Sequence, residues 1–137
     1  MALGLLARAG TAAPAAGKSK PWDDLSTDEK KDVMKKVVVP RMTTLFKAYD
    51  ATKYAEVKCV LCHGEDARKG KFAMPNPDLP KLDFAGHLEK ERAEKPQMVE
   101  FMAKKVVPEM ASALGAQPFD PKTGKGFGCK DCHAAKK

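Results

Sequence analysis

The chain has 137 residues, a formal charge of +7 and only 7% aromatic residues. This length fits one small domain, and so few aromatic side chains are a thin supply for its core. No stretch approaches the roughly eighteen apolar residues of a transmembrane helix. No basic block with interleaved aromatic residues indicates nucleic-acid binding. We therefore expect one globular domain with partners other than nucleic acid.

The first 20 residues are rich in alanine and glycine and make a poor signal peptide. No basic residue precedes the short Leu5-Leu6 patch, although Ala13-Pro14-Ala15 resembles a small-residue cleavage site. We expect residues 1–20 to be a flexible tail, or the remnant of a signal or linker, and residues 21–137 to form the domain.

The first predicted helix covers roughly residues 27–49. Ser26-Thr27-Asp28-Glu29 has the S-x-x-E form of a capping box. Apolar residues then recur at steps of three and four, as on one face of a helix: Met34, Val37, Val38, Met42, Leu45 and Phe46. Pro40 lies inside this helix and should kink it, because proline lacks a backbone donor and clashes with the carbonyl four residues earlier.

The next feature is Cys59-Val60-Leu61-Cys62-His63, which is the C-x-x-C-H signature of c-type haem attachment. In such a site both cysteine sulfurs bond to haem vinyl groups, and the histidine ligates the iron. Residues i, i+3 and i+4 share one face of a helical turn. Cys59, Cys62 and His63 can therefore address one macrocycle together.

The middle of the chain predicts a long loop and two helices. Glycines and prolines mark a loop of about twenty residues, which we expect to cover a haem edge: Gly64, Gly70, Pro75, Pro77 and Pro80. Residues of about 86–95 predict one short charged helix. Pro96 suits the first position of the next helix, which contains Pro108 and for which Gly115 is a good C-cap.

A second C-x-x-C-H motif, Cys129-Lys130-Asp131-Cys132-His133, uses the other two cysteines, and the sequence around it repeats. Val38-Val39-Pro40-Arg41-Met42 matches Val106-Val107-Pro108-Glu109-Met110 with an offset of 68, and the motifs are 70 apart. Internal repeats identify a structural unit. We predict an all-α fold with long irregular loops, in which two pseudo-repeats pack around two covalently bound haem c groups. Each repeat, about 26–65 and about 95–134, is a Met-bearing helix, a loop and C-x-x-C-H.

The second axial position of each iron also needs a ligand, commonly a Met sulfur or another His in electron-transfer cytochromes. The four residues after His133 cannot ligate iron, so we expect Met110, upstream, to serve the second haem. By symmetry Met42 serves the first haem, with Met74 and His87 as alternatives. Core packing is the competing role for methionine, and we expect it alone for Met34, Met98 and Met102.

With this pattern the chain resembles the repeat of the cytochrome subunit bound to photosynthetic reaction centres, and smaller multihaem relatives of it. In that family a helix with an axial Met precedes a turn and then C-x-x-C-H. The resemblance covers about residues 26–134 as two units, with Met42 and Met110 as the axial methionines. It implies one-electron transfer and, because c-type haem is attached outside the cytoplasm, a periplasmic or otherwise extracytoplasmic location. The larger members carry four haems and lack prolines before the methionines, so association with a reaction centre is not implied.

The main functional hypothesis is an electron carrier, not an enzyme, that exchanges electrons with redox protein donors and acceptors. Four haem propionates would leave a net charge of about +3, which suits solubility, an acidic partner or an anionic membrane surface. The alternative is a haem enzyme or gas sensor, such as a small peroxidase, with one open iron position. A zinc site built from both cysteine pairs is a third hypothesis, but it leaves the histidine after each pair unexplained.

Overall fold

The structure is a computed structural model that describes residues 20–137. The tail predicted for residues 1–20 lies outside the described residues, apart from Lys20. Helices and long irregular loops make up residues 20–137, and only isolated β-bridges occur among them. The predicted all-α class is thus confirmed for this part of the chain. None of its helices is long and apolar enough to cross a membrane.

The first long helix consists of α1, Thr27–Val33, a π-helical segment, Met34–Val38, and α2, Val39–Tyr49. The predicted capping box starts it. The Glu29 backbone N–H donates to Ser26 Oγ at 3.3 Å, and the Ser26 N–H donates to Glu29 Oε2 at 2.7 Å. These two bonds satisfy backbone donors that the helix itself leaves without partners. The helix predicted over roughly 27–49 is confirmed.

The π segment is how this helix accommodates Pro40. The Val39 N–H donates to the carbonyl of Met34, five residues back, and the segment ends two residues before the proline. A proline inside an α-helix collides with the carbonyl four residues earlier. The wider π turn changes the position of those carbonyls, so the helix continues through Pro40 with a local change of hydrogen-bond pattern.

Two short helices follow, one at the first C-x-x-C-H motif and one within the segment of about 86–95 that was predicted as a charged helix. α3, Cys59–His63, carries the first C-x-x-C-H, and a 3-10 turn, Glu65–Lys69, follows it. The long loop then leads to α4, Glu89–Glu94. The prediction of a helix from about residue 86 was wrong at its start. His87 and Leu88 have φ angles of 52° and 62°, and such left-handed backbone cannot belong to a right-handed helix.

The second long helix repeats the plan of the first. It consists of α5, Pro96–Phe101, a π segment, Met102–Val106, and α6, Val107–Leu114. Pro96 starts it and Gly115, with a φ of 68°, ends it, as predicted. Glycine suits that position because left-handed backbone is strained for residues with a Cβ. The second π segment begins 68 positions after the first and again ends two residues before a proline.

The two long helices pack together through their central parts. α2 contacts the second π segment, and α6 contacts the first. Arg41 and Glu109, which are 68 residues apart, form an ion pair with Nη1 and Oε1 at 3.2 Å. In the core Phe46 meets Tyr54 and Phe101 edge-to-face, with ring centroids 4.9 and 5.2 Å apart. The buried core consists of Val38, Met42, Phe46, Tyr54, Phe101, Ala113 and Leu114.

The long loop after the first motif pairs with the last residues of the chain. The Leu82 N–H donates to the Ala134 carbonyl at 3.0 Å, and the Lys136 N–H donates to the Leu82 carbonyl at 2.9 Å. A largely buried carboxylate, Glu91, closes this contact by accepting from Lys136 Nζ at 2.7 Å and from the Asp83 N–H at 3.2 Å. This loop, which we expected to cover a haem edge, therefore runs beside the second motif.

Candidate functional site

The first C-x-x-C-H motif lies on one helical turn. α3 begins at Cys59, which is exposed, and ends at His63, which is half-buried along with Cys62. Gly64 follows with a φ of 75°, and a Cβ there would collide with the Asp78 carboxylate and lie 2.9 Å from Asn76 Oδ1. The chain therefore needs glycine directly after this motif, both for the backbone angle and for space.

The second motif forms a shorter, 3-10 turn. Asp131, inside the motif, accepts from the Gly128 N–H at 2.7 Å, and the His133 N–H donates to the Cys129 carbonyl at 2.9 Å. This last bond spans four residues, as in an α-helical turn. Cys129, Cys132 and His133 are therefore gathered on one turn, as the spacing predicts.

His133 is oriented by a backbone carbonyl. Its Nδ1 lies 2.8 Å from the carbonyl oxygen of Pro80 in the long loop. A carbonyl can only accept, so Nδ1 carries a proton, and in the neutral tautomer with this bond the lone pair is on Nε2. A histidine that ligates a metal through one ring nitrogen usually donates the other N–H to a carbonyl or carboxylate in this way. This hydrogen bond fixes the orientation of the His133 ring and leaves Nε2 as the nitrogen that could ligate a metal.

His63 has a more apolar environment. Its ring meets Phe72 edge-to-face with centroids 5.4 Å apart, and Nδ1 is buried with no hydrogen-bond partner among residues 20–137. Burial lowers the pKa of His63, and this effect outweighs that of the Phe72 backbone, which raises it. The imidazole is therefore neutral at physiological pH, which is the form that ligates metals.

The thiols are free and mostly shielded from water. None of the four cysteines is in a disulfide. Burial raises the pKa of Cys62 and of Cys129, and raises that of Cys132 to about 12, with the neighbouring Cys62 acting in the same direction. These three sulfurs remain neutral thiols at physiological pH, unlike the thiolates of redox-catalytic cysteines.

Asn76, which sequence reasoning missed, joins the two motifs. Its Nδ2 donates to the carbonyl of Cys62 at 2.9 Å, and its backbone N–H donates to the carbonyl of Cys132 at 2.9 Å. Its Oδ1 accepts from the Asp78 N–H at 2.9 Å. The side chain is 2% exposed. In the sequence, asparagine between two prolines signals only a turn, so this role could not be read from it.

The two candidate axial methionines lie on the helical core. Met42 is 3% exposed, and Met110 is half-buried against the same cluster. Leu61 of the first motif and Phe127, two residues before the second, also pack on this cluster. The methionine helices and both motifs therefore share one core, while ligation by Met42 and Met110 stays a prediction.

The other methionines and His87 occupy different surroundings. Met34, Met98 and Met102 pack against the core, as predicted for them. Met74 is half-buried in the long loop, where a cis peptide bond joins it to Pro75. His87 is exposed, on the left-handed turn before α4. Their role as alternative ligands is likewise a prediction.

Each motif supplies the donor set that haem c attachment requires, namely two unpaired thiols and one neutral or oriented imidazole. A cleft of about 310 Å³ opens beside the second motif. It is lined by Pro75, Phe84, Lys130, His133, Ala134 and Ala135. Within residues 20–137 no group of three or more His, Cys, Asp or Glu side chains is placed to hold a metal ion by itself. The fit to haem c rests on the two free thiols and the imidazole that each motif offers.

No family model, curated protein or solved structure matches this chain.

Proposed function

We propose that the protein is a dihaem c-type cytochrome that carries single electrons between redox proteins. The observation that supports this most strongly is the pair of C-x-x-C-H motifs, in which all four thiols are free and His133 is held by the Pro80 carbonyl. A bound haem would supply an iron that alternates between the ferric and ferrous states, and hence the one-electron chemistry.

The chain's own residues divide the work of holding two such groups. Cys59 and Cys62 would hold one haem, and Cys129 and Cys132 the other, through thioether bonds in which the sulfur and hydrogen of each thiol add across one vinyl double bond and no atom leaves. His63 and His133 would each supply an imidazole ligand to one of the two irons. Met42 and Met110 would each supply the second protein ligand of one iron, and a Met ligand would raise the reduction potential relative to a second His.

The proposal includes a duplicated unit. Both long helices contain a π segment at equivalent positions, 68 residues apart, followed by a proline and then the candidate methionine. Arg41 and Glu109 are equivalent in the repeat and pair with each other. Two copies related by a two-fold axis bring equivalent residues together at that axis, so this ion pair supports two repeats packed about a pseudo-two-fold axis.

The test is the intact mass and visible spectrum of protein expressed with the haem-attachment machinery. We expect the mass of the chain plus two haems. The double variant Cys59→Ala, Cys62→Ala should keep one haem, and Cys129→Ala, Cys132→Ala should keep the other. A wild-type mass without covalent haem would refute the proposal.

Carbon monoxide separates the electron carrier from a haem enzyme or gas sensor. If both axial positions are filled, the reduced protein should not bind carbon monoxide, and its spectrum should not change. Binding to one haem would favour the enzyme or sensor. We further propose an extracytoplasmic location and redox partners with acidic docking surfaces, in keeping with the excess of lysine and arginine.

A further inference from the structure

Asn76 is a buried polar side chain whose contacts go beyond what loop folding needs. It is the single asparagine of the chain and is 2% exposed. Its amide orientation is unambiguous, because Nδ2 faces a carbonyl at 2.9 Å and Oδ1 faces an N–H at 2.9 Å. Burying an amide is favourable only when such bonds are made, so the site specifies asparagine.

The bonds of this one residue reach both motifs. The side chain holds the carbonyl of Cys62, and the backbone N–H holds the carbonyl of Cys132. Only four covalent bonds separate the two nitrogens of Asn76. From standard bond lengths and the two 2.9 Å hydrogen bonds, the carbonyl oxygens of Cys62 and Cys132 lie within about 11 Å of each other. The second cysteines of the two motifs are therefore neighbours.

The rest of the loop strengthens this link. Four residues after Asn76, the Pro80 carbonyl accepts from Nδ1 of His133. On the other side Gly64, next to His63, lies against the Asn76 amide so closely that a Cβ would lie 2.9 Å from Oδ1. Asn76 is thus wedged between the end of the first motif and the second motif, with direct hydrogen bonds to both.

We propose that Asn76 is a positioning residue that holds the two haem-attachment motifs at a fixed spacing and orientation, and so sets the coupling between the two haems. This inference rests on the dihaem function proposed above. Charges on two nearby redox centres interact in inverse proportion to their separation. A spacer that fixes this separation therefore affects how oxidation of one haem changes the potential of the other.

The test uses the protein carrying both haems and two substitutions. Asn76→Ala removes both side-chain bonds, whereas Asn76→Asp keeps an acceptor for the Asp78 N–H and loses the donor to Cys62. Two haems held in fixed mutual orientation give a bisignate circular dichroism signal in the Soret region. We expect this signal in the wild type and loss of most of its amplitude in both variants. The separation of the two midpoint potentials should narrow as well.

Asp120→Ala is the matched control. Asp120 Oδ1 accepts from the Lys122 N–H at 2.9 Å, the same local turn that Asn76 makes with Asp78, but the hydrogen bonds of Asp120 within residues 20–137 do not reach the carbonyl of Cys62 or of Cys132. The Asp120→Ala variant should keep the wild-type Soret signal and midpoint potentials, even if its melting temperature is lower.

Mass spectrometry separates the possible failures. A wild-type mass without haem refutes the proposed function itself. Two covalent haems with no bisignate signal in the wild type, or with an unchanged signal in both Asn76 variants, refute the inference alone. Loss of haem from both Asn76 variants but not from Asp120→Ala would mean a purely structural role and would also overturn it.

Discussion

Replacing Met42 by leucine or by alanine separates core packing from iron ligation. The side chain is 3% exposed and belongs to the same buried cluster as Phe46 and Phe101. Alanine would leave a cavity there and lower the free energy of unfolding by about 2–5 kcal/mol. Leucine nearly conserves the volume and should cost less than about 1.5 kcal/mol. Neither residue offers a sulfur, so both variants should lose the Met–iron charge-transfer band of one haem.

The assay combines urea unfolding with the red absorption spectrum of oxidised protein that carries both haems by mass. Met110→Leu should remove the band of the other haem. Met98→Leu is the control, because Met98 packs against the core and is not a predicted ligand, and it should keep both bands. A Met42→Leu protein with both bands at full intensity would refute ligation and leave packing as the role of this side chain.

Three further predictions concern the contacts around the core and the motifs. The double-mutant cycle of Arg41→Glu and Glu109→Arg, measured by urea unfolding, should give a coupling of about 0.5–1 kcal/mol, with the swapped pair more stable than either single variant; additive effects would contradict the ion pair. The hydrogen bond from Lys136 lowers the pKa of Glu91 from 4.5 to about 2, so its contribution should be complete above pH 4.5 and lost as the pH falls towards 2. In the Glu91→Gln variant the melting temperature should depend less on pH over that range than in the wild type. A variant with the same pH dependence as the wild type would contradict this. Gly70 has a φ of 77° and no atom within 4 Å of the position of a Cβ, so Gly70→Ala should lower the free energy of unfolding by about 1–2 kcal/mol, measured by urea unfolding. Gly64→Ala should lower it further because its Cβ would also collide with Asp78. Equal losses in the two variants would show that the space beside Gly64 is not tight.

The helices could be predicted because local signals determine them. The Ser26–Glu29 capping box, Pro96 at a helix start and Gly115 at a helix end each act through backbone groups a few residues away. The π segments could not be predicted. Pro40 predicts a disturbance of the helix, but it does not specify the hydrogen-bond pattern that the preceding turn adopts.

The candidate site likewise contains residues that could be predicted from the sequence and residues that could not. The cysteines and histidines of the motifs are visible in the sequence, because their chemistry requires a fixed local spacing. Asn76 and Pro80 are not, since their partners lie 14 residues away at Cys62 and 53 residues away at His133. Contacts across such separations depend on the path of the loop, and a loop rich in proline and glycine does not reveal its path.

The two proposed repeats are joined by contacts of two different kinds. In the core the contact is reciprocal, because α2 packs on the second π segment and α6 on the first. At the motifs it is one-sided, since a single loop supplies Phe72 against His63 and the Pro80 carbonyl to His133. Because Met42 and Met110 are each proposed to ligate a different iron, loss of either sulfur should remove a ligand from one haem alone. A change in that loop should affect both haems, because neither histidine is oriented independently of it.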